Sequence, residues 1–167
     1  MIHRGFLLVA LLSLAGCGLR PLYAGGSGGS VAATLGSVVV APIGGGQPGW
    51  LMHNKLVDRL GEAGNGTRAY RLDVTLDDNI TSYGVRSDEA ATQERRTLRA
   101  RFQLVDLRNG MVVLDDTAGS DASIDIVSSE YATVAAEQTS LENLSDVVAD
   151  QIVARLALYA DRTHRTK

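Results

Sequence analysis

Two stretches of alternating residues constrain this chain more than anything else in it. Tyr70, Leu72, Val74 and Leu76 alternate with Arg71, Asp73, Thr75 and Asp77. Leu98, Ala100, Phe102 and Leu104 alternate with Arg95, Thr97, Arg99, Arg101 and Gln103. Successive strand side chains point to opposite faces, so each stretch predicts a strand with one apolar and one polar face. The first can run on through Ile80–Gly84, and Val85–Ala91 reads as a turn. Asp106–Gly110 holds an Asn-Gly hairpin signal, with a return strand over Met111–Thr117 that can continue through Ser123–Val127. A sheet wet on one side must be covered on the other.

Two amphipathic segments can supply that cover. From Pro48 to Ala63, Leu51, Leu56 and Leu60 form a stripe flanked by Trp50 and Val57, with Lys55, Asp58, Arg59 and Glu62 largely off it. Pro48 suits a first turn, and Gly61, Gly64 and Gly66 end the element. Near the C-terminus, Leu141, Leu144, Val148, Ile152, Leu156 and Tyr159 step by three or four residues. Ser128 or Ser129 can cap that helix, and Asn143–Asp146 is a candidate break in it. Val38–Ile43 reads as a first buried strand. The fold class is therefore α+β: one antiparallel-rich mixed sheet of about four strands, packed by two helices on one face, in the order β-α-β-β-β-α.

The N-terminus reads as an export signal. Arg4 precedes an apolar run of about ten residues, Phe6–Ala15, about half the length of a bilayer crossing. Leu14-Ala15-Gly16-Cys17 resembles a bacterial lipobox. Residues 1–16 are the expected lipoprotein signal peptide and Cys17 the expected lipidation site. It is the sole cysteine, so no internal disulfide exists and a lipid accounts for the odd thiol. Acyl chains gain about 0.8 kcal/mol per buried CH₂, which makes a multi-chain anchor firm. Residues 17–36, rich in glycine and serine, read as a tether. Residues 37–161 read as one domain and 162–167 as a charged tail. Losing Arg4 with the signal takes the formal charge from −3 to about −4, which argues against a nucleic-acid partner.

Reactive constellations are missing. His53 and His164 are the histidines beyond the signal, so no Cys/His metal spacing exists. Gly44-Gly45-Gly46 lacks the continuation of a phosphate loop, and no nucleophile elbow is present. Asp77-Asp78 and Asp115-Asp116 are adjacent in strands, point to opposite faces and form no dyad; they read as solvated strand ends. The expectation is a non-enzyme with neither catalytic residues, nor a metal, nor a cofactor other than the covalent lipid. Arg95, Arg99 and Arg101 share one strand face, opposite Phe102, with Arg96 and Arg71 nearby. Guanidinium forks suit phosphate and carboxylate, so this row is a candidate anion-contact face. The competing reading is a solvated face that pairs with Asp73 and Asp77 across the sheet.

Cys17-Gly18-Leu19-Arg20-Pro21-Leu22-Tyr23 resembles the Cys-Gly-Phe-Arg-Pro-Leu-Tyr start of the LptE lipopolysaccharide-assembly lipoproteins, with leucine in place of phenylalanine at position 19. The segments Ala69–Leu76 and Ser129–Glu137 look like those of its alphaproteobacterial members. The resemblance implies a lipid-anchored protein on the periplasmic face of the outer membrane. Its implied partners are the β-barrel translocon LptD, inside which it sits as a plug and assembly factor, and lipopolysaccharide. Arg95, Arg99 and Arg101 are then candidate lipopolysaccharide contacts. Gly18, where aspartate would signal inner-membrane retention, fits release to the outer membrane. The alternative reading is an auxiliary lipoprotein of an ABC-type envelope lipid-transport system.

Overall fold

The computed structural model describes residues 29–61, 67–85, 91–126 and 129–165. The signal segment, Cys17 and the Gly/Ser stretch up to residue 28 lie outside them. The elements are α1 (Ser30–Leu35), β1 (Val38–Val40), α2 (Gln47–Leu60), β2 (Tyr70–Val85), β3 (Ala91–Asp106), β4 (Met111–Asp125) and α3 (Glu130–Arg165).

The sheet has the order β1-β2-β3-β4. Short β1 runs parallel to the start of β2, with Val38 opposite Tyr70 and Val40 opposite Leu72. Helix α2 makes the crossover that a parallel pair requires. Strands β2, β3 and β4 form a long antiparallel meander. Its second turn spans Leu107–Gly110: the Gly110 amide donates to the Asp106 carbonyl at 2.8 Å, and Gly110 takes φ 71°. A register shift between Leu104 and Val105 sits beside that turn.

The alternation sorts the two faces as expected. Leu72, Val74, Leu98, Ala100, Phe102 and Leu104 are buried beneath helices, joined by Met52 and Leu56 of α2 and by Val148, Ile152 and Leu156 of α3. The two helices are locked to each other by Lys55–Asp146 at 2.7 Å and by Arg59 to Asp146 and Asp150 at 2.9 and 2.5 Å. Gly49 lets α2 start close to its approach loop, because a Cβ there would lie 2.3 Å from the Gly44 carbonyl oxygen.

Three expectations need correction. The segment read as tether to residue 36 contains α1, whose Leu35 is buried in the core and whose Thr34 hydroxyl lies 2.9 Å from His164 Nε2. Apolar docking on α3 holds a turn that local composition does not predict. The helix break at Asn143–Asp146 is not seen: α3 is one element of 36 residues. Ser145 sits buried within it because its hydroxyl donates to the Leu141 carbonyl at 2.7 Å. The charged tail from residue 162 remains helical to Arg165, which pairs with Asp161 one turn back at 2.8 Å.

Candidate functional site

Among the described residues the helices pack on one side of the sheet and leave the other side a bare polar surface. Its rows come from odd-numbered residues: Arg71, Asp73, Thr75 and Asp77 of β2, Arg95 to Gln103 of β3, and Asp115 to Ser123 of β4. Arg95, Arg99 and Arg101 all stand on this face, as their shared parity requires.

The three arginines differ in how they are held. Arg101 grips Asp115 with two bonds, Nε to Oδ1 at 3.1 Å and Nη2 to Oδ2 at 2.7 Å. Gln103 adds a third bond to the same carboxylate at 2.8 Å. These bonds, Arg101 first, hold the Asp115 carboxyl down at about 2, and Asp115 in turn raises the Arg101 guanidinium above its ordinary value. Arg95 lies over the Tyr83 ring, 5.5 Å from its centroid, with Asp121 at 3.9 Å. Arg99 crosses Gly119: a Cβ there would come within 3.2 Å of the Arg99 Cγ. Among the described residues, Arg99 has no carboxylate within ion-pair distance.

The competing reading, in which Asp73 and Asp77 neutralise this row, is corrected in its partners. Asp73 pairs with Arg71 on its own strand at 2.9 Å, and the carboxylates that hold Arg101 and Arg95 come from β4. Asp115 and Asp116 are therefore ion-pair partners within edge strand β4 rather than solvated strand ends. They do point apart: Asp115 meets Arg101, and Asp116 meets Arg155 of α3 at 2.6 Å.

Arg155 is a contributor that sequence reasoning missed. It reaches from α3 around the β4 edge and also donates to the Thr117 carbonyl. Beside it, Gln151 binds both backbone groups of Gly119, at 3.2 and 3.3 Å. The result is an open groove of about 490 Å³ lined by Arg99, Arg101, Arg155, Asp77, Thr117 and Gln151 among others. Arg95 stands outside it. Arg155 is five residues beyond Asp150, about 140° around α3 from it, and only the docking of that helix reveals which strand it meets.

Arg96, next to the row in sequence, has the opposite parity and lies on the covered face. It is only 8 % exposed, bonds Asp78 at 2.8 and 2.5 Å, and donates to the Glu137 carbonyl at 2.9 Å. It is a structural bolt between the sheet and α3. Among the described residues, no group of three or more His, Cys, Asp or Glu side chains could hold a metal, and no helix is long and apolar enough to cross a membrane.

A small α+β domain with an apolar sheet face packed under helices, a charged opposite face and a shallow groove lined by arginines has, among the described residues, the make-up of a binding or assembly module. The sequence profile of LptE, described as lipopolysaccharide-assembly, matches residues 35–156, and the chain belongs to that family. Its members are non-enzymatic envelope lipoproteins of lipopolysaccharide assembly. Similar solved structures include a lipoprotein of Caulobacter crescentus CB15, at 25% identity and TM-score 0.64, covering 81% of this chain and 98% of that one. Rare lipoprotein B of Shewanella oneidensis aligns at 9% identity and TM-score 0.57, covering 76% and 98%. A minor lipoprotein of Acinetobacter baumannii aligns at 14% identity and TM-score 0.53, covering 73% and 91%. The last two likenesses show the fold alone. Comparison with curated protein sequences gives no significant match. Family membership favours lipopolysaccharide assembly over the ABC-transport reading.

Proposed function

We propose that this chain is the lipid-anchored partner of the outer-membrane barrel LptD, seated as a plug within it, and that it contacts lipopolysaccharide during delivery to the cell surface. The observation that carries this reading is the family match, which runs from the end of α1 well into α3 and so takes in every strand of the sheet. The bare face supports it physically. The lumen of a large membrane barrel is polar, and a sheet face of alternating Arg, Asp, Thr and Gln suits such a wall. Cys17 holds the domain at the periplasmic face of the outer membrane through its lipid, with the Gly/Ser stretch after it as tether.

Arg99 is the proposed primary contact for the anionic groups of lipopolysaccharide. A guanidinium without a fixed carboxylate keeps its donors for a phosphate. Arg101 and Arg95 flank it along one strand, about 7 Å and about 13 Å away on that face. Depletion of the protein tests the reading: the large barrel is expected to lose its assembled form, surface lipopolysaccharide to fall, and the tagged chain to co-purify with the barrel beforehand. Intact surface lipopolysaccharide and an unaffected barrel after depletion would overturn it.

A further inference from the structure

The free edge of β4 is closed over only part of its length. At Gly119 the Gln151 side chain satisfies both outward backbone groups, and at Thr117 Arg155 satisfies the carbonyl. In an antiparallel strand, residues two apart turn their N–H and C=O to the same edge. The β3–β4 register runs unbroken from Arg101↔Thr117 to Gln93↔Asp125. Asp121, Ser123 and Asp125 therefore present their backbone groups to the same edge as Thr117 and Gly119. Among the described residues nothing pairs with them.

Along that open stretch the strand faces α3 across a groove of about 570 Å³. Ala122 and Ile124 form one wall, and Ala135, Ala136, Thr139 and Ser140 form the other. Small side chains on the helix leave room for a backbone between the two elements. Ser140 is a second, separate observation. The residue is only 7 % exposed, and its Oγ is buried without a hydrogen-bond partner. Ser145, five residues further along, has satisfied its hydroxyl within the helix. In this wall the Ser140 hydroxyl lacks the partner that a buried hydroxyl normally has.

We infer that this groove takes an extended segment of a partner polypeptide, which adds to the sheet as a fifth strand along Asp121–Asp125. The segment alternates. Basic side chains lie on the bare face beside Asp121, whose contact with Arg95 is a long 3.9 Å, and Asp125, which accepts from Gln93 at 3.0 Å; both carboxylates stay exposed there. Small apolar or hydroxyl side chains turn toward Ala135, Ala136 and Ser140. Charge selects this occupant over a second copy of the chain, since β4 paired antiparallel with itself about Ser123 sets Asp121 against Asp125 twice. Reach excludes the chain's own N-terminal stretch. The Thr34–His164 contact places α1 at the far end of α3. From His164 to Thr139 the helix rises about 38 Å. With cleavage before Cys17 as proposed above, the twelve residues to residue 28 span at most about 43 Å, too few to reach the groove and form a strand there.

The test is residue-resolved amide exchange on the full chain in detergent, with a nine-residue peptide alternating lysine and valine as probe and one alternating glutamate and valine as control. The lysine peptide is expected to slow exchange at Asp121, Ser123 and Asp125 by about tenfold or more. Ser123→Pro is expected to abolish the slowing at Asp121 and Asp125 while keeping the β3 ladder, because the lost N–H points away from β3. Ala136→Arg, on an exposed helix position, fills the groove and gives the same loss should the proline variant fail to fold. No slowing with the lysine peptide, equal slowing with the glutamate peptide, or slowing that persists in Ala136→Arg would overturn the proposal. So would protection that grows with protein concentration in the absence of peptide, the mark of a second copy.

Discussion

Leu98 and Arg99 are consecutive residues of one strand and belong to opposite worlds. Leu98 is 0 % exposed beneath the helices, whereas Arg99 is exposed on a face that, among the described residues, no helix covers. The covered face also carries charge, but on other terms. Arg96 keeps its guanidinium inside by bonding both Asp78 oxygens and the Glu137 carbonyl. On the bare face, Arg101–Asp115 and Arg71–Asp73 stand in water, where such pairs contribute little to stability. One face therefore sets whether the chain folds, and the other is free to set what it touches. A single strand serves both because its two sides are independent.

Substitutions on the covered face should break the fold first. Phe102→Ala empties a fully buried site in mid-sheet and is expected to cost about 3–5 kcal/mol in chemical denaturation. Arg96→Ala leaves Asp78 partly buried without its cation; the expected loss is about 2–3 kcal/mol, below that of a fully enclosed pair. An Arg96→Ala loss no larger than that of an exposed arginine would show that the two faces are not distinct in this respect.

Acid should act next and more gently. Arg108 holds Asp106 down at about 2, and Arg101 does the same for Asp115, against an ordinary 3.8. A carboxyl depressed in the folded state stabilises above its unfolded value, and that contribution is lost as pH falls through its folded value. Denaturation midpoints are expected to hold down to about pH 4 and to fall between about pH 4 and 2. Asp115→Asn should flatten that slope. A midpoint that already falls between pH 7 and 5, or an unchanged slope in Asp115→Asn, would go against the assignment.

Much of this comparison was legible in the chain before any coordinates. Period-two alternation placed β2 and β3, sorted their faces and put Arg95, Arg99 and Arg101 in one row, because parity is a local property. What stayed hidden depends on docking. Arg155 and Gln151 gain their roles only when α3 lies along the β4 edge. Arg96 is close to the row in sequence, but what it bonds on the covered face depends on where α3 docks. Helix α1 was hidden because six residues after a glycine run have no helical signal of their own; burial of Leu35 supplies the stability. The apparent break near Asn143 misled because polar residues inside a helix can satisfy themselves one turn back, as Ser145 does.

The central claim is that the bare face binds and does not build. It is tested most directly by replacing Arg95, Arg99 and Arg101 with alanine together, then measuring lipopolysaccharide affinity and thermal unfolding on the same preparation. Charge-assisted bonds of this kind are worth about 1.5–3 kcal/mol each, so affinity is expected to fall about tenfold or more. The unfolding transition should stay within a few degrees of the parent, since exposed positions change stability by about 0.5 kcal/mol or less each. Unchanged affinity in a folded triple variant would contradict the claim, and so would loss of binding that merely follows a collapsed transition.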